Sequence, residues 1–218
     1  DQDGDLDLYV LNINKKNNFL YDNNGDGTFT RNTSTLLTQH PISTFGASWG
    51  DFDNNGALDL LVSNTDFEDP DTLLRHADFL FLNNGTGNHW ITIKCHGVTS
   101  NASAVGAKVR IKATINGLPV WQMREIITQT GFTSQNSLPL EFGLGDATVI
   151  DSIIVDWPSG IREEFAGQNV DQILEITETG SGGAAPIAST EPATDITAIS
   201  ALLNGLVNPN GLSTTVFF

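Results

Sequence analysis

The chain has 218 residues, and its 10 Lys and Arg stand against 26 Asp and Glu, a formal net charge of −16. That balance excludes a nucleic-acid surface, because nothing offers the run of cations that phosphates require, and it argues equally against an anionic membrane surface. It suits a protein that holds divalent cations or stays soluble by self-repulsion.

Strand-like segments with period-two alternation dominate, separated by Asn, Asp and Gly clusters that read as tight turns. Taken in chain order, strands are expected over residues 6–11, 58–62, 107–115, 120–127 and 152–157, and no segment carries a capped helical stripe; residues 71–77 have room for one helical turn. No apolar run approaches the roughly 18 residues needed to span a bilayer. The lone cysteine, Cys95, lies in the alternating run Trp90-Ile91-Thr92-Ile93-Lys94-Cys95, which predicts a buried, inert thiol and not a nucleophile.

The N-terminal part repeats. Asp1-Gln2-Asp3-Gly4-Asp5-Leu6-Asp7-Leu8 aligns with Asp53-Asn54-Asn55-Gly56-Ala57-Leu58-Asp59-Leu60, with Gly4 and Gly56, Asp7 and Asp59, and Asn12 and Asn64 each 52 positions apart. Further on, Phe19-Leu20-Tyr21-Asp22-Asn23-Asn24-Gly25 matches Phe79-Leu80-Phe81-Leu82-Asn83-Asn84-Gly85 at an offset of 60, so the second unit gains 8 residues within 66–76. A repeat of about this length, with four short strands per unit, fits a propeller blade. The expected fold is all-β: partial β-propeller blades over residues 1–88, with the first blade cut short and further blades preceding Asp1, then a β-sandwich or barrel over 89–178. A linker over 179–186 and the start of another β unit over 187–218 follow.

The sharpest motif is Asp51-x-Asp53-x-Asn55-Gly56-x-x-Asp59. Ca²⁺ takes six to eight oxygen ligands, and side chains at positions 1, 3 and 5 of a curled loop point at a common centre while Gly at position 6 permits the sharp turn. The closing carboxylate stands at position 9 and a strand follows it, so this is a hairpin loop and not an EF-hand. Position 7 offers its backbone carbonyl, which leaves its side chain free to vary: Ala57 in this copy, Asp5 in the other. Three carboxylates crowded into nine residues repel one another unless a cation lies among them. In the first copy position 1 would precede the chain; Asp1, Asp3 and Asp7 remain as candidates, with weakened or absent binding expected. Asp22, Asn24 and Asp26 also have ligand-like spacing, but no carboxylate closes that loop and Gly25 and Gly27 suit a plain hairpin turn.

Enzyme readings find little support. His40, His76, His89 and His96 form no zinc spacing, and no nucleophile elbow, P-loop or dinucleotide fingerprint is present. Glu163 and Glu164 are adjacent, so on a strand they point to opposite faces and cannot form an acid/base pair.

The segment Trp49-Gly50-Asp51-Phe52-Asp53-Asn54-Asn55-Gly56-Ala57-Leu58-Asp59-Leu60 resembles the FG-GAP/VCBS repeat, the Ca²⁺-binding blade of integrin-α-like propellers, and Asn83-Asn84-Gly85 and Asn23-Asn24-Gly25-Asp26-Gly27-Thr28-Phe29 resemble its second half. The resemblance implies Asp51, Asp53, Asn55 and Asp59 as ligands, with Ala57 through its carbonyl; Asn55 replaces a commoner Asp. The next region resembles an ASPIC/UnbV domain, which follows such repeats in cartilage acidic protein-like and bacterial exported proteins. The matching runs are Val105-Gly106-Ala107-Lys108-Val109-Arg110, Arg124-Glu125, Gly131-Phe132-Thr133-Ser134-Gln135, Phe142-Gly143-Leu144-Gly145 and Val155-Asp156-Trp157-Pro158-Ser159-Gly160. Residues from 187 onward resemble the start of a fibronectin-III-like module. These resemblances imply a secreted or cell-surface, non-catalytic binding or adhesion module stabilised by Ca²⁺, with an extracellular protein or glycan as partner. The alternatives are an accessory region of a large secreted enzyme acting on polysaccharide, or a structural spacer.

Overall fold

The computed structural model describes residues 1–64, 77–180, 187–194, 197, 200 and 202–208. The single helical turn expected over 71–77, all but its last residue, and most of the linker expected over 179–186 lie outside them. Residues Asp1–Glu178 form one compact unit and Thr179–Phe218 a second. Among the described residues the one helical element is a 3-10 turn, Leu36–Thr38, capped by Thr35, whose hydroxyl accepts the Leu37 amide at 3.0 Å. No described helix is long and apolar enough to cross a membrane.

The repeat folds as two three-stranded antiparallel sheets. The first is β1 (Leu8–Val10), β2 (Phe19–Asn23) and β3 (Phe29–Asn32); the second is β4 (Thr44–Gly50), β5 (Asp59–Asn64) and β6 (Phe79–Phe81). Three strands are described in each, where the repeat length suggested four. The two units use the same side-chain bonds at equivalent positions. Asn23 and Asn83 each donate a side-chain amide to a carbonyl, that of Leu6 at 3.2 Å and that of Leu58 at 3.3 Å, while their backbone N–H groups go to Asp7 at 2.9 Å and Asp59 at 2.7 Å. The position 60 residues after the start of β3 is His89, and there the chain leaves the repeat pattern and enters the sandwich.

The sandwich consists of a three-stranded sheet in the order β10 (Leu140–Gly145), β7 (His89–His96), β13 (Gln172–Thr177) and a four-stranded sheet in the order β12 (Arg162–Asn169), β11 (Val149–Asp156), β8 (Lys108–Ile115), β9 (Leu118–Glu125). All pairs are antiparallel except β13 with β7. Alternation decides the core. Val109, Ile111 and Ala113 of β8, Ile153 and Val155 of β11, Ile91 and Ile93 of β7, and Phe142 and Leu144 of β10 face inward and are buried. At roughly 1.5–3 kcal/mol for each large apolar side chain, this cluster dominates the stability of the unit. In the repeat, Ala57, Leu60 and Val62 alone are buried hydrophobics among the described residues. The repeat therefore depends on docking against the sandwich.

That docking occupies the polar face of the β10-β7-β13 sheet. Thr92 sits on it and is only 4% exposed. The Gln2 carbonyl accepts the Gly145 amide at 2.9 Å, and a Cβ on Gly143 would stand 2.5 Å from Gln2 Cα, so only glycine lets the first loop lie there. The otherwise open edge of β4 is covered by the loop over residues 130–137. Ser134 Oγ accepts the Ala47 amide at 3.1 Å, Asn136 Oδ1 accepts the Trp49 amide at 3.1 Å, and the Ser137 amide goes to the Trp49 carbonyl at 2.9 Å. Satisfying an edge in this way removes a template for pairing with another chain.

In the second unit, β14 (Ile187–Thr194) and β15 (Leu202–Asn208) pair as an antiparallel hairpin. Apart from Thr197 and Ser200, the rest of the module expected over 187–218 lies outside the described residues.

Candidate metal centre

The loop between β4 and β5 is built by its own side chains. Asp51 accepts the amide of Asn55 at 3.0 Å through Oδ1 and that of Gly56 at 2.9 Å through Oδ2; Asp53 Oδ1 accepts Asn55 N–H at 3.2 Å; and Asn55 Oδ1 accepts Ala57 N–H at 2.8 Å. These bonds turn successive Asx side chains inward, as turn-forming Asp and Asn do. Asn54 at φ +60° and Gly56 at φ +88° take the left-handed backbone the curl demands. A Cβ on Gly56 would fall 1.9 Å from Trp90 Cε2, so the indole of β7 lies against the bare backbone of the loop. Asp59, at the start of β5, is 2% exposed, and its two oxygens accept the amides of Phe52 at 2.8 Å and Asn83 at 2.7 Å.

One carboxylate oxygen from each of Asp51, Asp53 and Asp59 lies within 4.8 Å of the others. Two oxygens each about 2.4 Å from one ion stand at most about 4.8 Å apart, so the three meet the separation that sharing a Ca²⁺ requires. All are hard oxygen donors with a lone pair left beyond the bonds described, which is the chemistry that ion selects.

The first copy keeps the loop bonds without the convergence. Asp3 N–H goes to Asp1 Oδ1 at 3.3 Å and Asp5 N–H to Asp3 Oδ1 at 3.2 Å. Among the described residues Asp1, Asp3 and Asp7 are not gathered as the second-copy acids are. The Asp5 side chain, which the sequence leaves free to vary, has a buried Oδ1 without a hydrogen-bond partner, and burial, with Asp3 and Asp7 adding their charges, pushes its carboxyl up to about 6. The other acidic loop, expected to be a plain turn, is held by its own side-chain bonds. Asp22 accepts from Asn32 at 2.9 Å, Asn24 donates to Thr28 at 2.8 Å, and Asp26 accepts both the amide and the hydroxyl of Thr28.

The described histidines, Glu163, Glu164 and Cys95 have other partners or are buried. His89 Nδ1 lies 2.7 Å from Asp171, His96 lies 3.6 Å from Glu175, and His40 stacks on Phe79 and Phe81; His76 lies outside the described residues. Glu164 accepts from Ser152 at 3.0 Å while Glu163 accepts from Trp157 Nε1 on the other face. Cys95 is buried, and burial, with Glu163 adding, raises its thiol to about 11.

Sequence reasoning missed two groups. Glu178, 2% exposed, accepts the amides of Val98, Thr99 and Ser100 at 2.8, 2.8 and 2.7 Å and the hydroxyls of Ser100 and Ser159. Burial alone would raise its pKa; the hydrogen bonds outweigh that and hold it at about 2. Glu141 of β10 borders the Asp51 loop and bonds Ser137 Oγ at 2.7 Å; burial, with the Asp51 charge adding, raises it to about 7. Neither lies in a motif, and only the packing of distant segments makes them special.

Residues 1–62 match the family described as FG-GAP-like repeat, and residues 97–183 match the family described as ASPIC and UnbV. The chain carries an FG-GAP-like repeat followed by an ASPIC/UnbV domain. The metal-candidate loop falls within the FG-GAP match, and the two glycines of Phe142-Gly143-Leu144-Gly145 in the ASPIC/UnbV match form the rail on which the first repeat loop rests. FG-GAP and ASPIC/UnbV domains together point to an extracellular, binding-type module. No curated protein matches the chain.

Proposed function

We propose that this chain is a non-catalytic, Ca²⁺-stabilised extracellular module that serves in binding or adhesion, secreted or displayed at the cell surface. The observation that carries this reading is the convergence of Asp51, Asp53 and Asp59 within 4.8 Å on one curled loop. A bound Ca²⁺ would be held by these three carboxylates, with the Asn55 amide oxygen and the Ala57 carbonyl completing the loop's contribution, and it would supply charge neutralisation and a cross-link where the repeat has little apolar core. The non-catalytic clause is supported by the pairing of His89 and His96 with Asp171 and Glu175 and by the divergence of Glu163 and Glu164.

Isothermal calorimetry on the full chain tests the reading. Ca²⁺ binds at sub-millimolar to millimolar concentration, Mg²⁺ binds less well because it demands tight octahedral geometry, and Asp53→Ala removes most of the heat. Absence of Ca²⁺ binding at millimolar concentration, or an Asp53→Ala variant that binds as well as wild type, overturns it.

A further inference from the structure

Between the second repeat sheet and the polar face of the β10-β7-β13 sheet lies a cleft of about 270 Å³ that opens beside the Asp51–Asp59 loop. Its two walls differ in chemistry. On the sandwich side, Thr92 and Lys94 stand two residues apart on one face of β7, and Glu141 is the direct register partner of Thr92 on β10. Thr92 is 96% buried, being 4% exposed, and its hydroxyl oxygen has no hydrogen-bond partner. Among the described residues Lys94 has no carboxylate at ion-pair distance. Buried polar groups are normally satisfied, so an unmet hydroxyl lining a cleft marks a place where something else supplies the bond. On the repeat side, Leu61 and Leu80, paired across β5 and β6, remain 49% and 45% exposed, and Ile173 of β13 continues the apolar lining.

We propose that this cleft is a binding site for a single uncharged sugar ring of a glycan. The proposal rests on the binding-module reading above and names its ligand class. A hydroxyl, an ammonium and a carboxyl side by side offer donors and acceptors to a row of sugar hydroxyls, while the leucine wall takes the C–H face of a ring. Charge selects against the alternatives. Asp51 and Asp59 at the cleft's border are taken up by the Ca²⁺ proposed above, and Lys94 and Glu141 on the adjacent strands β7 and β10 bring one ionisable group of each sign, so no single charge dominates the wall and an uncharged ligand fits it best. The volume falls just below the usual range of roughly 300–1,000 Å³ for small-molecule sites, room for one ring and not for a chain segment.

The test is an amide NMR titration of the full chain with glucose, galactose, mannose and N-acetylglucosamine, and with glucuronic acid as the charged control, each with Ca²⁺ and again with EDTA. At least one neutral sugar shifts the resonances of Thr92, Lys94 and Glu141 saturably and binds more tightly than glucuronic acid. Thr92→Val, which keeps the side-chain shape, and Lys94→Met, which keeps the stem, each weaken that binding about tenfold, with thermal unfolding reporting that both variants remain folded. No saturable shift with any neutral sugar, stronger binding of glucuronic acid, or binding untouched by both substitutions overturns the proposal. Calorimetric Ca²⁺ binding without any sugar response overturns the cleft assignment alone. A sugar response that persists in EDTA, in a chain that takes up no Ca²⁺, upholds the cleft and overturns only the calcium clause of the function proposed above.

Discussion

Glu178 shows what a single buried charge contributes when every lone pair is met. Its carboxylate closes the loop over residues 97–100 onto the end of β13 and reaches Ser159 in the turn before β12. Glu178→Gln keeps the shape but removes the charge and sets an amide N–H against these donors. A loss of about 2–4 kcal/mol is expected, because a buried cluster of donors is left facing a donor. Since the folded pKa of about 2 lies below the ordinary 4.5, the wild-type contribution is complete above pH 4.5 and is lost as pH falls toward 2. Urea unfolding of both proteins across that window checks it: the gap between wild type and variant narrows at the acid end. A gap that does not change with pH would contradict the assignment. At the metal loop, Ala57→Ser leaves Ca²⁺ affinity unchanged by calorimetry, because only the carbonyl of that residue is proposed as a ligand.

At the scale of elements, the contacts between repeat and sandwich are made by positions that look like punctuation. Gly56→Ala forces a Cβ into the Trp90 indole and puts an L side chain at φ +88°, so a loss of about 2 kcal/mol or more is expected. Gly56→Ala combined with Trp90→Ala recovers the steric part and not the backbone part, and a double-mutant cycle read by denaturant unfolding separates the two. The β4 edge gives a second case. Ser134→Ala and Asn136→Ala each leave one backbone amide, that of Ala47 or Trp49, without its acceptor. About 1 kcal/mol is lost for each, and hydrogen exchange quickens at the amide concerned. Exchange unchanged at Ala47 in Ser134→Ala would show that the loop does not guard the edge.

For the whole molecule, the unequal distribution of core decides the order of stability. The buried cluster spans residues 91–176, so a chain of residues 89–180 is expected to fold and unfold cooperatively without the repeat. It unfolds at lower temperature than 1–180, because the face that carries Trp90 and Thr92 loses its cover. Ca²⁺ has no effect on 89–180 and raises the stability of 1–180. At about 1 mM free ion and a dissociation constant near 10⁻⁴ M the linkage is RT ln 11, about 1.4 kcal/mol. Differential scanning calorimetry of both chains with Ca²⁺ and with EDTA makes the comparison. An equal Ca²⁺ shift in the two would place the ion outside the repeat.

Some of this was legible in the residues alone. Period-two alternation gave away β7, β8, β9 and β11 of the sandwich and their inward faces, since a pleated strand puts neighbours on opposite sides whatever lies around it, and β8 and β11 fall where the pattern of Ala107 to Ile115 and Ser152 to Trp157 puts them; β10, β12 and β13 were not read from the sequence. The metal-candidate loop was equally legible, because its side chains bond their own neighbouring backbone and the curl is set within nine residues. The 3-10 turn at Leu36–Thr38 was not, having one capping threonine and too few residues for a period. Tertiary structure decided everything that depends on contacts between residues far apart in the chain. The parallel pairing of β13 with β7, the covering of β4 by residues 130–137, the seat of Gln2 on Gly143, the five bonds to Glu178 and the unmet hydroxyl of Thr92 each join segments that no local pattern connects. A strand's alternation says that one face is polar, but only the packed molecule says whether that face meets water or another sheet.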